Sequence, residues 1–162
     1  MLVDSNEREL ENQEIVLEAA RGMRDKRYTP DQVLASLIKE VEQKNTILMR
    51  QGNTLFIVRM GKDRIAFFNA LNADIPANYL ENSLMFAKAA YLAGIDILVT
   101  DFTDSTILNI FKYIERNRNR VNPDKDGKMT MGYATQKIKM KDGTPGYRVT
   151  AVLGPRRGGK AK

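Results

Sequence analysis

The feature that most limits what this chain can fold into is a change of apolar period near residue 45. Before it, apolar residues recur at helical spacing. After it they come in three short runs, at residues 46–50, 54–60 and 64–71. Only Gln51-Gly52-Asn53 and Gly61-Lys62-Asp63 separate these runs. Parallel neighbours need a crossover of roughly a dozen residues or more, whereas turns this short join antiparallel strands. The middle of the chain is therefore expected to be a three-stranded antiparallel meander.

Helices flank that meander. Ile15, Val16, Ala19, Ala20 and Met23 recur on one face of a segment spanning about residues 6–26. A second helix opens at Thr29-Pro30-Asp31-Gln32. There the Thr29 hydroxyl can accept from a first-turn amide, Pro30 loses no hydrogen bond, and Gln32 completes a capping box. Its apolar face is Val33, Leu34, Leu37, Ile38 and Val41. After the meander, a helix over about residues 76–93 stops at Gly94, and Ile95-Asp96-Ile97-Leu98-Val99-Thr100 reads as a mostly apolar strand. Asp104 or Ser105 can cap the next helix, which carries Ile107, Leu108, Phe111 and Ile114 and frays among Asn117 and Asn119. Residues 129–141 and 147–152 form a closing hairpin around Asp142-Gly143-Thr144-Pro145-Gly146. The fold class is thus α+β, in the order α-α-β-β-β-α-β-α-β-β. Residues 1–153 are expected to form one domain, and residues 154–162 a basic flexible tail.

Composition removes several chemistries. With no cysteine there are no disulfides and no thiolate zinc sites, a pattern that fits a reducing compartment. The absence of histidine removes the commonest general base and the commonest transition-metal ligand together. No metal site is expected. The start of the chain meets charge at Asp4, without an apolar stretch of signal-peptide length, so the protein is not expected to be secreted. Charge is unevenly divided. Residues 1–115 hold 13 Lys/Arg and 17 Asp/Glu, whereas residues 116–162 hold 13 Lys/Arg and 3 Asp/Glu. An acidic body therefore carries a basic C-terminal third.

Over about residues 6–152 this element order resembles the GNAT (N-acetyltransferase) superfamily, which has a central mixed, mainly antiparallel sheet flanked by four helices. A first strand is missing from the match, and Met1-Leu2-Val3 is the candidate for it. The resemblance implies an acyl-CoA pyrophosphate loop, Arg/Gln-x-x-Gly-x-Gly/Ala, between the third meander strand and the next helix. Glycines suit that role because the backbone must approach the phosphates closely at a helix start. The corresponding stretch here runs Asn72-Ala73-Asp74-Ile75-Pro76-Ala77-Asn78. It has neither glycine nor a basic residue, so Asp74, Ile75, Pro76, Ala77 and Asn78 form a degenerate cofactor loop. Many members also place a tyrosine on the last helix as general acid, and the aligned residue is Phe111. Tyr113 lies two residues on, and it remains a weak catalytic candidate together with Glu81. Asp96, Asp101 and Asp104 are better read as strand-end and capping residues than as bases or cation ligands.

The positive charge points to binding. Arg116, Arg118 and Arg120 alternate past the last helix, and Lys137, Lys139 and Lys141 lie at period two on one strand. Arg156, Arg157, Lys160 and Lys162 occupy the tail. Such an array suits a phosphate backbone or an acidic protein surface, although lysines at period two also protect an edge strand. In size and order the chain is similar to small GNAT-like proteins of short-tailed bacteriophages, which are linked to assembly of the internal core or tail. That resemblance implies a non-catalytic virion protein. Its partners would be other virion proteins and DNA, its location the virion or host cytoplasm, and it would take no cofactor. Oligomeric state is left open. The alternative is an active N-acetyltransferase that uses acetyl-CoA through an atypical loop.

Overall fold

The structure is a computed structural model that describes residues 10–22, 27–125 and 128–154. Its elements are α1 (Asn12–Arg21), α2 (Pro30–Val41), β1 (Thr46–Gln51), β2 (Thr54–Met60), β3 (Ile65–Asn72) and α3 (Pro76–Leu92). There follow β4 (Ile97–Phe102), α4 (Ser105–Arg116), α5 (Arg118–Val121), β5 (Gly132–Lys139) and β6 (Pro145–Val152). The strands form one six-stranded sheet in the order β1-β2-β3-β4-β6-β5. β1 runs antiparallel to β2, β4 to β6 and β5 to β6. β3 and β4 are parallel, with Ile65–Phe67 against Ile97–Val99. The chain divides into two compact units, Met1–Arg59 with Asn69–Phe86 and Met60–Phe68 with Ala87–Lys162.

In the first unit, one cluster joins Leu10, Ile15, Val16, Leu37, Leu55, Ile57 and Leu71, all buried. β2 is buried on both faces because successive side chains alternate. Leu55 and Ile57 enter that cluster, while Phe56 stacks on Phe86 with centroids 4.0 Å apart and planes 5° from parallel. The expected capping box is present. The Thr29 hydroxyl accepts from the Gln32 amide at 3.2 Å, and Gln32 Oε1 accepts from the Thr29 amide at 2.8 Å. Helix α1 starts later than its apolar period suggests, at Asn12 rather than residue 6. Ahead of it the Leu10 amide donates to Asn53 Oδ1, and a capping box between Glu11 and Glu14 opens the helix.

The second unit builds on β4, β5 and β6. Residues opposite one another on neighbouring strands share a face, so Phe102, Tyr147 and Lys137 form one row, and Asp101, Arg148 and Gln136 form a row on the other face. Phe111 of α4 packs between Phe102 and Tyr133, at 5.7 and 6.0 Å between centroids. The turn between β2 and β3 holds both Asp63 (φ 59°) and Arg64 (φ 63°) in the left-handed region, closed by the Ile65 amide donating to the Lys62 carbonyl. Several strand boundaries also differ from the sequence reading. Met129 and Met131 are buried ahead of β5 rather than within it, and the fourth strand begins at Ile97 rather than Ile95. Among the described residues no helix is long and apolar enough to cross a membrane.

Candidate functional site

The loop between β3 and α3 is a closed polar knot. Asn72 Oδ1 accepts from the Asp74 amide at 3.0 Å and from the Thr54 hydroxyl at 2.8 Å, while its Nδ2 donates to the Asp74 carbonyl. Asp74 turns its carboxylate toward the β1–β2 turn. There it accepts from the Asn53 amide (2.9 Å), from Asn53 Nδ2 (3.2 Å) and from Asn82 Nδ2 (2.8 Å). Asn53 is 5% exposed and its Oδ1 accepts from Leu10 and from Arg50 Nη2. Arg50 also reaches Gly52 O and Asn12 Oδ1. One chain of bonds thus ties the start of α1, the β1–β2 turn, the β3–α3 loop and α3.

Sequence reasoning treated Asn53, Asn72 and Asp74 as separate turn residues and passed over Arg50, Thr54 and Asn82. The signal that could have found them is the density of Asn, Asp and Thr in two neighbouring turns, although pairings across 21 and 28 residues are not local. Gly52 explains part of the spacing. It has φ 55°, and a Cβ there would lie 2.6 Å from Asn82 Oδ1. Beyond Asp74 the loop opens to solvent. Ile75, Pro76 and Ala77 are exposed and Asn78 is half-buried, and α3 begins with the Tyr79 amide donating to the Ile75 carbonyl.

Glu81 is exposed on α3. Phe111, aligned with the family's general acid, is buried in aromatic contacts and carries no proton to give. Tyr113 is 39% exposed, and its hydroxyl accepts from Arg120 Nη2 at 2.8 Å. The aspartates have structural partners. Asp104 caps α4 through the Thr106 amide, Asp101 forms a two-point ion pair with Arg148 at 2.7 and 2.9 Å, and Asp96 lies 4.0 Å from Arg64. Hydrogen bonding to Asp101, and then its charge, raise the Arg148 pKa further above its ordinary value. No group of three potential metal ligands occurs among the described residues.

Among the described residues, the basic side chains lie on separate elements. Arg116 ends α4, and Arg118 and Arg120 lie on α5, a short helix the sequence suggested only as fraying. Arg118 lies with Gly132, at the start of β5, around a hollow of about 550 Å³. Lys137 and Lys139 share a face near the far end of that edge strand. Seven steps of ~3.3 Å put Lys139 about 23 Å along the strand from Gly132. Lys141 was expected to continue the lysine row but sits in the following turn. The Met140 amide bonds to Thr144 O there and ends the strand pairing. Tyr133 is buried against Phe111, so it is withdrawn from any stacking surface. Arg156, Arg157, Lys160 and Lys162, like Met1-Leu2-Val3, lie outside the described residues.

Solved structures that share this architecture include two acetyltransferases. A probable acetyltransferase of the GNAT family from Chromobacterium violaceum superposes with a TM-score of 0.54 at 14% identity, covering 89% of this chain and 84% of that one. The ribosomal-protein-S18-alanine N-acetyltransferase of Escherichia coli gives 0.55 at 8% identity, covering 96% and 97%. The fold is GNAT-like. No protein-family profile matches the sequence, and no curated protein matches it. At these identities the GNAT-like likeness concerns the path of the backbone, and the chemistry of the loop has to be read from this chain's own residues.

Proposed function

We propose that this chain is a non-catalytic GNAT-like binding protein, a structural or assembly component of a bacteriophage virion's internal core or tail. On this reading its basic C-terminal region contacts DNA or an acidic protein partner, and other virion proteins are its neighbours. The observation that carries the non-catalytic half is the Asp74 carboxylate. It occupies the β3–α3 loop and draws three donors to itself, where the family pattern would leave glycine amides for a pyrophosphate. A carboxylate in that loop opposes an incoming anion, and Pro76 offers no amide at the helix start. The buried Phe111 supports the same reading, because a phenyl ring cannot protonate a departing thiolate. On this account there is no resident cofactor.

The two structural neighbours favour a second reading, since both are described as acetyltransferases, one of them acting on the alanine of a ribosomal protein. In that case acetyl-CoA would be bound by a rearranged loop, with Glu81 or Tyr113 handling the proton. Thermal melting separates the two readings, because a ligand that binds the native state raises its stability by mass action. The binding half is tested with duplex DNA. Affinity that falls steeply with salt, and that drops when residues 154–162 are deleted, supports a polyanion contact through the tail.

A further inference from the structure

We propose that the hollow beside α5 is the socket in which an acidic, apolar segment of a partner protein seats. This rests on the binding reading above and gives its site and partner class. The hollow encloses about 550 Å³ and is lined in part by Arg118, Asn119, Lys125, Met129, Met131 and Val152. That volume lies within the range of sites that take small ligands or a few side chains.

Its chemistry is divided in a way that selects the occupant. Met129 and Met131 are 1% and 3% exposed and form an apolar floor, with Val152 beside them at 37%. Unbranched thioethers adapt to differently shaped apolar groups, as at promiscuous binding surfaces. Arg118 and Lys125 stand exposed at the hollow, and the Asn119 side chain adds a neutral donor. The one lining carboxylate, Asp124, is directed inward and accepts from the Met129 amide at 2.9 Å. Asn122 holds the same loop closed, accepting from the Asp124 amide and donating to the Met129 carbonyl. The hollow is therefore bordered by two cations and one hydrogen-bonded carboxylate, so positive charge is in excess above an apolar floor.

Duplex DNA fits this shape less well than a protein does. A phosphate backbone needs many cations along a convex or extended track, whereas here two cations border a concave apolar floor. Lys137 and Lys139 lie toward the other end of β5 and do not line the hollow. An aliphatic side chain can enter against the methionines while a neighbouring carboxylate meets Arg118, and Lys125 supplies a second charge.

The test uses the full chain and a short peptide alternating glutamate and leucine, with an alternating glutamate and glycine peptide and a duplex DNA oligonucleotide as comparison probes. Binding is read by fluorescence anisotropy, and folding of each variant by circular dichroism. The glutamate–leucine peptide is expected to bind more tightly than the glycine peptide. Arg118→Glu and Lys125→Glu should each weaken it by about tenfold, as loss of a charge partner and its reversal require. Deleting residues 154–162 should leave that binding unchanged. Three results would overturn the proposal: no binding of the glutamate–leucine peptide, binding indifferent to both substitutions, or an equal loss of duplex DNA binding in the same variants. Acetyl-CoA binding would refute the non-catalytic reading but leave this result standing, so the two failures are distinguishable.

Discussion

The Asp74 carboxylate accepts a hydrogen bond from the backbone amide of Asn53 at 2.9 Å, across 21 residues of sequence. This relationship turns a loop that lacks glycine into a fixed element. With Asn82 and the Asn53 side chain it gives the acid three hydrogen-bond donors.

Replacing Asp74 by Ala should destabilise the chain by about 1–3 kcal/mol, since it strands donors that are partly buried. Asp74→Asn should cost less, because one acceptor oxygen survives. Urea unfolding followed by circular dichroism measures both. Equal stability of Asp74→Ala and the parent would show that water replaces the knot freely.

Gly52→Ala should fail for two reasons at once. The left-handed backbone costs a residue with a Cβ about 1–2 kcal/mol. The added methyl also meets Asn82 Oδ1 at 2.6 Å and displaces the side chain that donates to Asp74 and Thr54. Combined with Asp74→Ala, the two losses should therefore be less than additive in a double-mutant cycle.

Arg64→Gly should stabilise the chain. Asp63 and Arg64 fill the two positive-φ positions of a tight hairpin turn, where glycine is preferred at the second. Relief of left-handed strain should outweigh the entropy of the added glycine by up to about 1 kcal/mol. The ion pair lost with Asp96 is long, at 4.0 Å, and exposed on its arginine side, hence worth little. A rise in melting temperature is the expected readout.

Much of the fold was legible because its signals are local. The Thr29 capping box, the Pro30 start of α2, the Asp104 cap and the turns at Gly52 and Gly143 each need only a few adjacent residues. What sequence did not disclose depends on distant partners. The chain just ahead of α1 is held by Leu10 donating to Asn53, 43 residues away. Period two along residues 137–141 promised three lysines on one face, but the Met140–Thr144 bond turns the chain before the third. The pairing of Tyr113 was not legible on its own helix because Arg120, which donates to its hydroxyl, comes from the next one. Asp74 was legible as a charge in the wrong place for a phosphate, but not as the hub of a network.

The central claim is that this GNAT-like chain has an acidic, hydrogen-bonded knot in place of a cofactor loop. Thermal melting of the full chain with increasing acetyl-CoA, up to millimolar, tests it most directly. A site that survives would add about 2.7 kcal/mol at a hundredfold excess over its dissociation constant. The account predicts an unchanged melting temperature throughout; a saturable rise, reproduced by free coenzyme A, would contradict it.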